Sequence, residues 1–173
     1  MLPAMPPILK KPILQKLILP LLLLLLLGGL ALALMQKNAA PAASFMTTAG
    51  ETLELKQLRG KMVVVNFWAT SCPGCIEEMP KLVATYQRYH SKGLEIVAVA
   101  MSYDPPSHVV NYAKQHALPF PVALDAKADV AAAFGNVQVT PTSFVIDKQG
   151  NIVRHIVGEI DFAALETLLA QAL

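Results

Sequence analysis

From Met62 to Trp68 the chain reads MVVVNFW, seven residues that are β-branched or otherwise apolar except for Asn66. A short run without polar alternation predicts a strand covered on both faces, in the middle of a sheet flanked by helices. LEIVAVAM, beginning at Leu94, predicts a second buried strand. Between them the period changes. Ile76, Met79, Leu82, Val83 and Tyr86 fall on one side of a helix running from about Cys72 to His90. Ser91-Lys92-Gly93 stops that helix, and Pro80 is expected to kink it because it lacks a backbone donor.

Upstream, ETLELKQLRGK predicts a short strand and a loop closing at Gly60. Downstream, PPSHVVNYAKQHAL opens with two prolines and continues as a helix carrying Val109, Val110 and Ala113. PVALD predicts a short strand, and KADVAAAFG a short helix ending at Gly135. TSFVIDKQGNIVRHIVG predicts a hairpin turning at Lys148-Gln149-Gly150. DFAALETLLAQAL predicts a closing amphipathic helix with Asp161 as its N-cap. Early alternation of strand and helix implies parallel strands, and the late hairpin adds antiparallel ones. The expected fold class is α/β, a mixed central sheet between helices.

The N-terminus has a different pattern. Leu17 to Met35 is an uncharged apolar run of 19 residues that includes seven consecutive leucines. At about 1.5 Å per residue it approaches the roughly 30 Å hydrocarbon core. Lys10, Lys11 and Lys16 precede it, so the positive-inside rule places the N-terminus in the cytoplasm and the rest across the membrane. A cleaved signal peptide competes with an uncleaved anchor, although its apolar region is usually only about 7–15 residues. Ala31-Leu32-Ala33 fits a cleavage pattern but lies inside the run, and Ala40-Pro41-Ala42 fits but lies far from it. No cysteine follows the run, which excludes a lipidated terminus at that point. The expected division is a basic cytoplasmic N-terminus at 1–16, a transmembrane signal anchor at 17–35, a linker at 36–43 and one domain at 44–173.

Charge adds little. The 173 residues carry a net +2, but the first 35 contain three lysines and no acid, leaving eleven basic against twelve acidic side chains in the remainder. No clustered basic face for nucleic acid is implied. Export matters more, because disulfide chemistry persists outside the cytosol.

The only two cysteines, Cys72 and Cys75, lie in NFWATSCPGCIEEMP. A structural disulfide gains most from closing a long loop, and this one is short. Zinc normally needs four ligands, and His90, His108, His116 and His155 show no ligand-like spacing against the pair. Covalent haem needs a histidine after the second cysteine, where Ile76 stands. A redox dithiol is the reading that fits. Following a buried strand and starting a helix, Cys72 lies where unpaired N–H groups and the helix dipole favour a thiolate, the nucleophilic form. Cys75, about one turn inward, can resolve a mixed disulfide.

FWATSCPGCIEEMP resembles the active-site segment of the thioredoxin superfamily, in its envelope branch of TlpA-, ResA- and DsbE-like proteins. VTPTSFVIDKQGNIV resembles the second signature of that superfamily, and DPPSHVVNYAKQHALPFPVALD resembles the insertion of that branch. The resemblance covers about Ser44 to Leu173 and implies a thioredoxin fold. By position it implies that Cys72 attacks, Cys75 resolves and Pro141 is cis. It also implies that Trp68, Thr140 and Pro141 form the substrate-binding surface, with the Thr140 backbone pairing to an extended client segment. X-Pro is the one linkage at which cis is cheap, although Pro141 could simply begin a strand.

Glu78 matches the acid that follows the cysteines in this branch. It shares Cys75's side of the helix, where a partly buried carboxylate could take the Cys75 proton. The plainer alternative is a solvated first-turn acid, favourable at a helix N-terminus. Glu77 is expected to face solvent. Three positions depart from the pattern: Asn66 where cytosolic thioredoxins usually carry an acid, Ser71 in place of an aromatic, and Pro73-Gly74 between the cysteines. An amide cannot exchange a proton, so proton handling falls to Glu78 or water.

The resemblance implies a membrane-tethered thiol–disulfide oxidoreductase facing the periplasm or outer face, acting as a reductant without a cofactor. Its partners would be exported client proteins with disulfides and a membrane electron-donor thiol protein. Its clients would be apo-cytochromes, copper-handling proteins or other envelope enzymes. The competing readings are a disulfide-donating oxidant, a copper or zinc chaperone and, more weakly, a thiol peroxidase.

Overall fold

The computed structural model describes residue 18, residues 20–29 and residues 39–173. The chain divides into two units, one ending at Asn38 and one running from Ala39 to Leu173. In the first, residues 20–29 form helix α1, with Leu21 to Leu27 exposed. All of the expected basic segment, 1–16, and part of the expected apolar span lie outside the described residues. Among the described residues no helix is long and apolar enough to cross a membrane.

The second unit begins with an antiparallel pair, β1 (Ser44–Met46) and β2 (Thr52–Glu54), followed by a 3-10 turn at Leu55–Leu58. Then come β3 (Met62–Trp68), α2 (Pro73–Tyr89), β4 (Leu94–Ala100), α3 (Pro106–Gln115) and β5 (Val122–Leu124). The chain ends with α4 (Asp129–Ala133), β6 (Thr142–Ile146), β7 (Ile152–Val157) and α5 (Phe162–Ala172). The main sheet has the order β5-β4-β3-β6-β7. Strands β3, β4 and β5 are parallel, while β6 and β7 are antiparallel.

Every residue of β3 and β4 is buried, because each face of the sheet has its own core. Val64 and Trp68 pack with Cys75, Met79, Leu82, Leu165 and Leu169 on the α2 and α5 side. Val63, Val65 and Phe67 pack with Phe45, Phe134 and Phe144 on the other. This confirms the two-sided burial expected from MVVVNFW. Helix α2 runs unbroken through Pro80, and Gly93, with φ 109°, terminates the following 3-10 turn as only glycine does readily.

Part of the stretch expected to be a linker belongs to the fold. Ala39 bridges Asn151, and the Ala40 N–H donates to the Gly150 carbonyl at 2.9 Å. Ala43 is buried in the second core. The small, Pro-containing composition that suggested a free tether also suits a backbone lying flat against the β6–β7 turn.

Candidate active site

Strand β3 ends at Trp68, and four residues later Cys72 caps α2 in an extended conformation, φ −96° and ψ 108°. Pro73 follows at the first helical position, where a missing N–H costs nothing. Cys72 and Cys75 form a disulfide with Cα atoms 5.3 Å apart. Cys72 is half-buried, whereas Cys75 is 2 % exposed. The Cys75 N–H donates to Cys72 Sγ at 3.2 Å. That donor and the helix dipole will favour negative charge on Cys72 once the bond is opened. Of the two cysteines, Cys72 is the one open to a partner.

The loop carrying Cys72 is held from below. The Cys72 N–H donates to the Ala69 carbonyl at 3.1 Å. Asp104, 5 % exposed in the loop after β4, accepts from the Thr70 N–H at 2.6 Å and from Thr70 Oγ1 at 2.7 Å. The next residue back, Tyr103, hydrogen bonds through its hydroxyl to Thr140 Oγ1 at 3.3 Å.

The Thr140–Pro141 peptide is cis. Phe67 of β3 lies opposite Thr142 of β6, so Pro141 stands at the end of the sheet from which the chain leaves for Cys72. Pro141 is buried and Thr140 half-buried. The Thr140 N–H and carbonyl make no backbone hydrogen bond among the described residues, which leaves both for an extended partner. Tyr103 and Val139 are exposed beside them.

Trp68 requires a correction. It was expected at the substrate-binding surface, but its side chain is 0 % exposed and packs on Tyr112 with ring centroids 5.2 Å apart. The alternation of β3 turns it into the α2-side core, so it supports the site from beneath and offers no surface to a client.

Glu78 is 3 % exposed, not a solvated first-turn acid. Its Oε1 accepts from Asn66 Nδ2 at 2.9 Å, and its Oε2 accepts from the Ile160 N–H at 2.8 Å. Burial pushes its carboxyl above the usual glutamate range, and the nearby Glu159 charge adds to the rise. The bonds from Ile160 and Asn66, with the Lys81 charge, pull the other way. Asn66, 1 % exposed, also donates through Nδ2 to Ser143 Oγ at 2.9 Å. Its Oδ1 has no hydrogen-bond partner among the described residues. Glu77 and Ser71 are exposed.

Glu159, Asp104, Tyr103 and Ser143 escaped the sequence reading. Glu159 approaches the cysteine loop closely: a Cβ on Gly74 would lie 3.2 Å from Glu159 Oε1. Ser143 and Asp104 lie inside the quoted signature segments, but nothing local in those segments marks them, or Glu159 and Tyr103, as partners of the cysteine site. The Asp104-Pro105-Pro106 sequence signals a turn, but nothing local marks Thr70 as its partner.

Residues 35–169 match the redoxin family model. Over 130 residues, 74 % of each chain, the sequence is 41 % identical to the thiol-disulfide oxidoreductase ResA of Bacillus thuringiensis. Two solved structures share the architecture. A Neisseria meningitidis protein described as a thioredoxin superposes with a TM-score of 0.73 at 43 % identity, over 78 % of this chain and 89 % of that one. A thioredoxin-family thiol:disulfide interchange protein from Chlorobium tepidum gives 0.71 at 33 % identity, over 78 % and 95 %.

Proposed function

We propose a reducing role in the cell envelope for this chain, which belongs to the redoxin family, has a thioredoxin-like fold and is a thiol–disulfide oxidoreductase. The Cys72 thiolate attacks a client disulfide, forming a mixed disulfide and releasing one client sulfur as thiolate. Cys75 then gives its proton to Glu78 and attacks Cys72. The Cys72–Cys75 bond forms, the Cys72–client bond breaks, and the second client sulfur leaves with the electron pair. A membrane thiol protein restores the dithiol, and residues 17–35 tether the domain with its disulfide outside the cytoplasm. The clients are exported proteins whose cysteines must be reduced, as in cytochrome c maturation or metalloenzyme assembly.

One observation carries this reading. A buried carboxyl, held up by burial, lies one helical turn beyond the buried resolving cysteine on the same side of α2. That is where the second step needs a proton acceptor. Replacing Cys75 with Ala is expected to trap clients on Cys72, while Cys72→Ala traps none, as read by mass spectrometry of the mixed disulfides. Equal trapping by both variants overturns the roles. The direction is read from the reduction potential. A value below that of the glutathione couple fits a reductant, and one near about −120 mV would mark an oxidant.

A further inference from the structure

We propose that Asn66 is a positioning residue for this reaction, turning its amide over as Glu78 gains or loses a proton, so that Nδ2 meets the carboxylate and Oδ1 meets the acid. The inference deepens the function proposed above and rests on Glu78 as the proton acceptor. Its starting point is the uneven pairing of a buried amide. Both Nδ2 hydrogens are engaged, with Glu78 Oε1 and Ser143 Oγ at 2.9 Å each, while Oδ1 has no partner among the described residues.

Glu78 Oε2 already faces a fixed donor, the Ile160 N–H at 2.8 Å, so an arriving proton belongs on Oε1. An O–H there would point at Nδ2, setting donor against donor. A half-turn of the amide exchanges its oxygen and nitrogen with almost no change of shape. Oδ1 then accepts from the Glu78 O–H. Ser143 suits both states, because a hydroxyl accepts from Nδ2 in one and donates to Oδ1 in the other. In each state two bonds are made and one amide atom is left unpaired, so neither state locks the side chain. An aspartate here would repel the carboxylate, and an apolar side chain would leave it without a donor.

The charged groups acting on Glu78 are Glu159 before α5 and Lys81 further along α2, and Cys75, one turn back on the same side of α2, joins the titratable groups once the disulfide is reduced. During resolution the proton passes from the Cys75 thiol to Glu78 Oε1 as the Cys75 sulfur bonds to Cys72, and the departing client sulfur is protonated from solvent. The amide follows that proton. It thereby keeps Glu78 hydrogen bonded on both sides of the transfer.

The test uses the full chain, oxidised, in detergent micelles, with nitrogen-labelled asparagine and carbon-labelled glutamate. The Asn66 side-chain amide signals are expected to shift in one transition superimposed on the titration of the Glu78 carboxyl. In Glu78→Gln they should stay constant with pH. An Asn66 amide that stays constant through the Glu78 titration in the wild type overturns the proposal. A second arm follows the rate at which a mixed disulfide on Cys72 resolves. Asn66→Leu removes the donor to the carboxylate, which moves the pH profile upward and slows resolution near neutrality by up to about tenfold. An unmoved profile also overturns the positioning role. If Glu78→Gln resolves as fast as wild type, the proton-acceptor reading fails and this inference fails with it, while the trapping experiment still stands.

Discussion

At Glu78 two effects oppose each other, and the structure shows which is larger. Two hydrogen bonds favour the carboxylate, but loss of water around a 3 % exposed side chain outweighs them, and the carboxyl is held up. A carboxyl raised in the folded state contributes stability below its unfolded range, and that contribution is lost as pH rises through the folded value. The melting temperature of Glu78→Gln should therefore gain on that of the wild type between about pH 4 and pH 8. A Glu78→Gln melting temperature that falls further behind the wild type as pH rises would contradict the direction. Glu159 acts on the same group through space. Replacing it with Gln removes a negative charge, so the Glu78 carboxyl should titrate at lower pH, which carboxyl carbon shifts can follow. The sequence showed Glu78 as the acid beyond the cysteines. It could not show Glu159, whose approach to Gly74 depends on how β7 returns across the sheet.

Strands and helices place these residues through their ends. Helix α2 presents Cys72 at its cap, but the orientation of that cap depends on the loop from β3, and Asp104 fixes the loop with two short bonds to Thr70. Asp104→Ala leaves the Thr70 N–H without its acceptor in a partly buried position. A loss of about 1–3 kcal/mol in denaturant unfolding is expected. Alkylation of the reduced Cys72 should slow as well, since the N–H of Cys75 no longer meets the sulfur in a fixed geometry. Wild-type behaviour in both assays would make the Thr70 contact incidental. The elements themselves were legible because their periods are local. MVVVNFW is β3 residue for residue, LEIVAVAM overruns β4 only by Met101, and Asp161 caps α5 through Ala164 as expected. Strand β1 and the docking of residues 39–43 were missed, since Ser-Phe-Met is too short for a period and becomes a strand only by pairing with β2. Trp68 was assigned to the wrong surface for a related reason. The resemblance marked the position, but only the facing of β3 decides whether its side chain looks outward.

The sheet order explains why four separate loops form one site. Parallel β3 and β4 end together, β6 begins at that same end because it is antiparallel to β3, and β7 returns to it. The disulfide, the Tyr103–Asp104 loop, the Thr140–Pro141 peptide and the Glu159–Ile160 segment are therefore gathered at one edge. The folded unit is entered at the other edge, where Ala39 and Ala40 pair with the β6–β7 turn. A seven-residue strand at about 3.3 Å per residue sets those edges roughly 20 Å apart. If Lys10, Lys11 and Lys16 keep the N-terminus inside, a membrane-impermeant maleimide should label Cys72 of the Cys75→Ala variant in intact cells treated with an impermeant reductant. Labelling only after lysis would place the dithiol in the cytoplasm and remove the envelope role. Changing the three lysines to Ala weakens the orienting charge, so external labelling of the same variant should fall. Unchanged external labelling would show that the export signal lies elsewhere in the chain.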